Sequence, residues 1–156
     1  MIALRKMTEA EYFVFLMESI SQYTAEKMKG EGLSAEDAAN VANNSFRELL
    51  PDGLQTRDHH LFSIVENASQ ENVGAMWFAR RQTESKIYAY IYDFFLHENA
   101  RGKGWGKLAM RLLEDEVRKV GLNSIQLHVF GHNKIARSLY EAQGFRTTNV
   151  IMAKEL

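Results

Sequence analysis

The residues whose types and spacing most directly imply chemistry are Arg101-Gly-Lys-Gly-Trp-Gly-Lys107. They follow an apolar, strand-like run and lead at once into an amphipathic helical pattern. A glycine-rich loop that opens a helix presents backbone N–H groups without intrahelical partners. The helix dipole adds partial positive charge, so loop and helix start together form an anion site. Glycines let the backbone approach a bulky phosphate without Cβ clashes. From Arg101 to Leu113 there are four basic residues and no acidic one, a bias that suits a diphosphate. The loop fits neither of two familiar phosphate motifs. A Walker A loop needs a hydroxyl after its lysine, and Lys107 is followed by Leu108. The dinucleotide fingerprint fails because Gly102 and Gly104 are followed by Gly106, and because the segment lies too late in the chain for the usual first βα turn.

A second constellation lies further on. Asn133, Ala136/Arg137 and Tyr140 recur at helical spacing and share one face, while Ile135 and Leu139 share another. A buried tyrosine most often only satisfies its hydroxyl. Beside a phosphate loop, a phenol is also a reasonable acid for a departing thiolate.

These residues need a frame to position them. Thr8 to Lys29 reads as a helix, with Thr8 and Glu11 as a capping box, a stripe of Phe13, Leu16, Ile20 and Tyr23, and Gly30 as the stop. Ser34 to Leu50 reads as a second helix, capped by Ser34 with Asp37, with Val41, Phe46 and Leu49 on its apolar face. His60 to Glu66 and Val73 to Arg80 form a predicted hairpin, and Lys86 to His97 a long strand apolar on both faces, as a central strand should be. A helix over Gly104 to Val120 follows, then a strand over Ser124 to Phe130. A helix over Asn133 to Gln143 is closed by Gly144, and a closing strand runs from Phe145 to Ala153. The predicted order is α-α-β-β-β-α-β-α-β. This is an α/β fold with a central mixed, mostly antiparallel sheet flanked by helices.

Composition bounds the rest. The chain has 156 residues, is 46% hydrophobic and carries a formal charge of −1, which suits one domain over residues 1–156 and argues against a dedicated nucleic-acid binder. No apolar run approaches a membrane span, and the N-terminus lacks the features of a signal peptide, so a cytoplasmic protein is expected. With no cysteine there is no disulfide framework, thiol nucleophile or cysteine-ligated zinc. The spacing of His128 and His132 does not converge on a strand and turn, and no metal site is expected.

The loop and the second constellation together resemble the GCN5-related N-acetyltransferase (GNAT) superfamily. Its cofactor loop, R/Q-x-x-G-x-G/A, is matched by Arg101, Gly104 and Gly106. Its second signature, an asparagine, a tyrosine seven residues on and a Gly-Phe shortly after, is matched by Asn133, Tyr140 and Gly144-Phe145. The distinctive resemblance covers roughly 91 to 145. Stretches such as IYDF and ARSLYEAQGF are similar to a small bacterial subgroup described only as acetyltransferases.

The resemblance implies acetyl-CoA as cosubstrate and a primary amine as acceptor. Backbone amides across Gly102, Lys103, Gly104, Trp105, Gly106 and Lys107 would hold the pyrophosphate, with the Trp105 side chain serving packing. Phe94, Phe95 and Leu96 would pair their backbone with the pantetheine arm and polarise the acetyl carbonyl. Asn133 would touch the pantetheine, and Tyr140 would protonate the thiolate. Many relatives carry a glutamate five residues before the asparagine; here that position is His128. An imidazole can accept a proton near neutral pH, and it can also be an ordinary strand histidine. Asp93, a carboxylate in an apolar strand, is the other candidate base, or a structural hydrogen-bonding group. A water chain is a third route. Tyr88, Tyr90 and Tyr92 alternate along one strand and could line the acceptor pocket or belong to the core. The competing function is a non-catalytic CoA-binding regulatory module; retention of Tyr140 favours the enzyme. The exposed face of the closing strand offers a way for two copies to pair.

Overall fold

The computed structural model describes residues 1–156. A five-stranded sheet in the order β1-β2-β3-β4-β5 forms its centre. The strands are β1 (Ile2–Lys6), β2 (His59–Glu66), β3 (Asn72–Gln82), β4 (Ile87–Leu96) and β5 (Ile125–Leu127). The first four pair antiparallel, and β4 pairs with β5 in parallel. The helices are α1 (Glu9–Glu31), α2 (Ala35–Leu49), α3 (Trp105–Lys119) and α4 (Lys134–Ala142).

Two apolar layers cover the two faces of the sheet. On one, Ala109, Met110, Leu113 and Val117 of α3 pack with Ile64, Met76, Phe78 and Ala89. On the other, Phe15 of α1 and the α2 residues Phe46 and Leu49 pack with Leu61, Ala75 and Trp77. The layers follow from the strand period of two: in β3, Met76 and Phe78 face α3 while Ala75 and Trp77 face α1 and α2. This is the expected α/β architecture, a mixed and mostly antiparallel sheet between helices.

Individual elements depart from the sequence prediction, chiefly at the chain ends. β1 was not anticipated. It has five residues, and its signal is little more than Ile2 and Leu4 in alternation, yet pairing with β2 buries Ile2 to 3% exposure. The predicted closing strand, Phe145 to Ala153, is not formed. Thr147, Thr148, Val150 and Ile151 are β-branched and give strand propensity, but a strand exists only where a ladder partner is in reach. The strand expected over Ser124 to Phe130 is reduced to Ile125–Leu127. In α1 the capping box forms as expected, but the helix runs through Gly30 and stops at Gly32, which adopts φ 65° and donates its N–H to Met28 O. Its buried residue is Phe15, whereas Phe13 is 64% exposed, because apolar residues lie all around this helix and no single stripe dominates. In α2, Ser34 accepts the Asp37 amide, and Ala38 and Ala42 form the buried face rather than Val41.

Two features of the sheet shape the centre of the molecule. The β3–β4 register shifts between Trp77, opposite Asp93, and Phe78, opposite Ile91, so Tyr92 is an unpaired bulge residue. β5 accompanies β4 only along Ala89 to Ile91, so Tyr92 to Leu96 have a strand neighbour on the β3 side alone.

Candidate active site

The bulge and the splay between β4 and β5 occur at the same place, and Asp93 lies there. Near it a cleft of about 190 Å³ opens between α1 and the end of β4. Phe15, Glu18, Ser19 and Gln22 line its α1 side; Asp93, Phe95 and Leu96 line the strand side. His97, Glu98 and Arg101 complete the wall at the turn into the glycine loop. The lining thus has three carboxylates, Glu18, Asp93 and Glu98, and one guanidinium, Arg101. The Arg101 Nε donates to Leu96 O at 3.0 Å, which ties the loop to the strand end.

Asp93 is distinguished electrostatically. Burial pushes its carboxyl up to about 6; the charge of Glu26 adds to the rise and the Phe94 amide opposes it. Tyr140 on α4 is half-buried against the α3-side core, with its ring 5.7 Å from that of Phe145. Burial, and then the charge of Asp93, raise the Tyr140 phenol above its ordinary value. The phenol is therefore protonated at neutral pH, and the two groups are close enough for one to feel the other's ionisation.

The glycine loop has the geometry an anion needs. Gly102 and Gly104 both take φ 75°, a left-handed conformation that glycine adopts at little cost. Gly104 is the N-cap of α3, no side chain caps this helix start, and its first turn contains no acidic residue. The backbone amides there are available to an external acceptor. Trp105 packs partly against the core with the Lys103 ammonium 4.5 Å from its ring centroid, a packing role. Gly106 lies beside Leu139 of α4; a Cβ there would stand 3.5 Å from the leucine side chain, so the starts of α3 and α4's middle meet closely. The strand end is also tightly set. Gly74 of β3 faces Leu96, and a Cβ on Gly74 would drive into the Phe95 carbonyl.

The other sequence candidates fall into place around this centre. His128 lies just beyond β5, is exposed, sits edge-on to Phe130 at 4.9 Å and does not line the cleft. Asn133 is the N-cap of α4, its Oδ1 accepting the Ala136 amide at 3.2 Å; that capping role was not anticipated, although an asparagine before an amphipathic run is its usual signal. Tyr92 is drawn into an aromatic stack with Trp77 at 4.6 Å, and Trp77 Nε1 donates to His59 Nδ1 at 3.0 Å. Burial lowers the basicity of His59, consistent with a neutral ring that accepts this bond. Tyr88 is buried, and none of the three tyrosines lines the cleft. The α1 residues Glu18, Ser19 and Gln22 were not anticipated either. With Phe15 they occupy one helical face at i, i+3, i+4 and i+7, a mostly polar set.

Comparison with known proteins agrees with this geometry. The Acetyltransferase (GNAT) family matches residues 22–145. An uncharacterized N-acetyltransferase of Bacillus subtilis, YycN, is 39% identical over 155 residues, covering 99% of each chain. A second from the same organism, YdgE, is 30% identical, covering 98% of this chain and 97% of its own. The crystal structure of YycN superposes with a TM-score of 0.86 over 100% of this chain and 99% of that one. A GCN5-related N-acetyltransferase from Ralstonia eutropha shares the fold at a TM-score of 0.70 and 16% identity, covering 100% of this chain and 99% of its own. With the uncapped glycine loop at the start of α3, the splayed strands and these relatives all in agreement, the chain belongs to the GNAT family of acetyltransferases.

Proposed function

We propose that the chain moves the acetyl group of acetyl-CoA directly to a primary amine held in the cleft between α1 and the end of β4, with Tyr140 as general acid and Asp93 as general base. The observation that carries this reading is Asp93 itself: a half-buried carboxylate beside the strand bulge, raised to about 6, whose charge reaches the Tyr140 phenol. Amines are mostly protonated at neutral pH, so a proton acceptor at the cleft is required. A carboxylate near 6 is mostly ionised at pH 7 and is a stronger base than an ordinary one. The amine nitrogen attacks the carbonyl carbon, the C–N bond forms and the C–S bond breaks. Asp93 takes the ammonium proton before attack, the Tyr140 phenol proton goes to the leaving sulfur, and the second N–H proton, acidic once the C–N bond has formed, returns to the Tyr140 phenolate. The cleft position and burial of Asp93 favour it as base over the exposed His128.

Acetyl-CoA fits the residues present. Amides from Gly102 to Lys107 would bind the pyrophosphate, supported by the uncapped helix start. The backbone of Phe94, Phe95 and Leu96, which has no β5 neighbour, would hydrogen-bond the pantetheine arm, with Asn133 beside it. The acidic lining of the cleft suits an acceptor that arrives as a cation.

Calorimetry with acetyl-CoA, followed by release of free CoA thiol in the presence of a panel of primary amines, tests the proposal. Micromolar binding together with amine-dependent thiol release is expected. Binding without turnover on any amine would replace this reading with a CoA-binding regulatory module, and absence of binding would sink both.

A further inference from the structure

We infer that Ser63 and Asn72, held by the Glu11 carboxylate, are positioning residues for acetyl transfer: they lock α1 to the end of β4 and so set the spacing between the acceptor amine and the thioester. The inference rests on the function proposed above. Ser63 lies on the sheet face that α1 covers, in register between Arg5 of β1 and Ala75 of β3, and it is 0% exposed. Its neighbours on that face, Leu61, Ala75 and Trp77, are apolar. A hydroxyl in such a place costs free energy unless it is hydrogen-bonded, and Ser63 is bonded twice. Its Oγ donates to Glu11 Oε2 at 2.9 Å and accepts from Asn72 Nδ2 at 3.2 Å. Asn72 Oδ1 in turn accepts the Gly74 amide at 3.0 Å. One buried serine thus joins α1 to the start of β3 through a continuous chain of hydrogen bonds.

Each end of that chain reaches one wall of the cleft. Glu11, Phe15, Glu18 and Gln22 recur at i, i+4, i+7 and i+11, so the Glu11 anchor and the α1 residues lining the cleft share one helical face. Arg5 and the Thr8 amide hold the same carboxylate at 2.6 and 2.9 Å, which limits rotation of that face. At the other end, the β2–β3 register passes from Ile64, opposite Gly74, to Val65, opposite Asn72, and leaves Val73 as a bulge. The Asn72 side chain braces this bulge by reaching past Val73 to the Gly74 amide. The Val73 carbonyl accepts the His97 amide at 2.8 Å, and Gly74 lies so close to Phe95 that a Cβ would strike its carbonyl. The bulge therefore sets where Phe95, Leu96 and His97 stand. The thioester would lie on this strand end, with the amine between it and α1. Reacting atoms must meet at about 3 to 3.5 Å, and an error of about 1 Å costs roughly a hundredfold in rate. A fully satisfied buried network rigidifies the parts it joins.

Ser63→Ala, Asn72→Ala and the double variant test it. Thr8→Ala is the control, since it weakens the α1 cap yet keeps the residue-8 amide on Glu11. Each single variant should lose about tenfold or more in kcat while acetyl-CoA affinity by calorimetry stays within about threefold of native. The double variant should be little slower than either single one, as for residues that act as a unit. The carbonyl stretch of bound acetyl-CoA, carbon-13 labelled at the thioester and read by infrared spectroscopy, should move toward that of free cofactor in Ser63→Ala and Asn72→Ala and stay native in Thr8→Ala. Lost stability alone lowers the melting temperature and leaves that frequency unmoved. Should Asn72→Ala lack the native circular dichroism spectrum, Asn72→Asp takes its place, because it keeps the acceptor for Gly74 and loses the donor to Ser63. A kcat within about twofold of native, additive losses in the double variant or an unmoved carbonyl frequency overturns the inference. A native chain that binds acetyl-CoA but transfers to no amine removes the proposed function itself, and that result is read in the native chain before any variant is made.

Discussion

The starts of α1 and α3 present the same problem, a set of amides without partners, and the molecule treats them oppositely. At α1 the cap comes from within. Thr8 Oγ accepts the Glu11 amide, and Glu11 returns the bond to the Thr8 amide at 2.9 Å. Glu11 also accepts from Ser63 Oγ at 2.9 Å and from Arg5 at 2.6 Å. Burial alone would raise this carboxyl, but the bonds from Arg5, Thr8 and Ser63 outweigh it and hold it at about 2. At α3 the cap is a glycine with no side chain to offer, and the first turn has no carboxylate. A helix start closed by its own acid fixes structure, because a carboxylate and a hydroxyl of the protein already occupy the place an anion would take. A helix start left open by glycine is available to a ligand.

The strongest way to break the contrast is to close the open end. Gly104→Val places a β-branched residue at φ 75° and should abolish acetyl-CoA binding measured by calorimetry; unchanged affinity would refute the loop assignment. Next in size is Tyr140→Phe, expected to lower turnover by roughly tenfold to a thousandfold while cofactor affinity stays nearly constant. Equal loss of affinity and turnover would instead indicate a packing role. A subtler effect comes from Asp93→Asn. In the native chain the rate should rise with pH through about 6 as the base ionises, and the variant should lose that limb along with most of its turnover. Its stability should move the other way. A carboxyl raised from 3.8 to about 6 favours folding when protonated, and that advantage is lost as pH climbs from about 4 through 6. At pH 8 the variant should therefore be more stable than the native chain by up to about 3 kcal/mol in urea titrations; a less stable variant would mean that Asp93 is a structural hydrogen-bonding group. The smallest effect is at the closed end. Thr8→Ala should cost about 1 kcal/mol of stability and leave acetyl-CoA affinity untouched. The acid limb of stability should be flatter in Glu11→Gln, since the depressed Glu11 carboxyl stabilises above about pH 4.5 and that contribution fades toward pH 2.

What was readable in the sequence depended on whether a residue's role is local. Capping by Thr8, the long β4 run and the loop from Arg101 to Gly106 are local patterns, and all appear where expected. β1 and the closing strand are not local: each depends on whether a neighbouring edge is free to pair, so a weak signal at Ile2–Lys6 formed a strand and a stronger one at 145–153 did not. Asp93 is visible in the sequence as a charge in an apolar strand, but the bulge at Tyr92, which arises from pairing with β3, is invisible in one dimension. The cleft face of α1 was hidden for a different reason. Glu18, Ser19 and Gln22 are ordinary surface residues until β4 is placed across from them.

The two tryptophans give the molecule a built-in optical readout. Trp77 sits in the ring stack beside Tyr92, one residue from Asp93, whereas Trp105 opens α3 at the glycine loop. One indole thus stands beside each half of the proposed chemistry, the acceptor side and the nucleotide side. Replacing either with phenylalanine leaves a single emitter, so the order in which the two substrates arrive can be followed by fluorescence without attaching any dye.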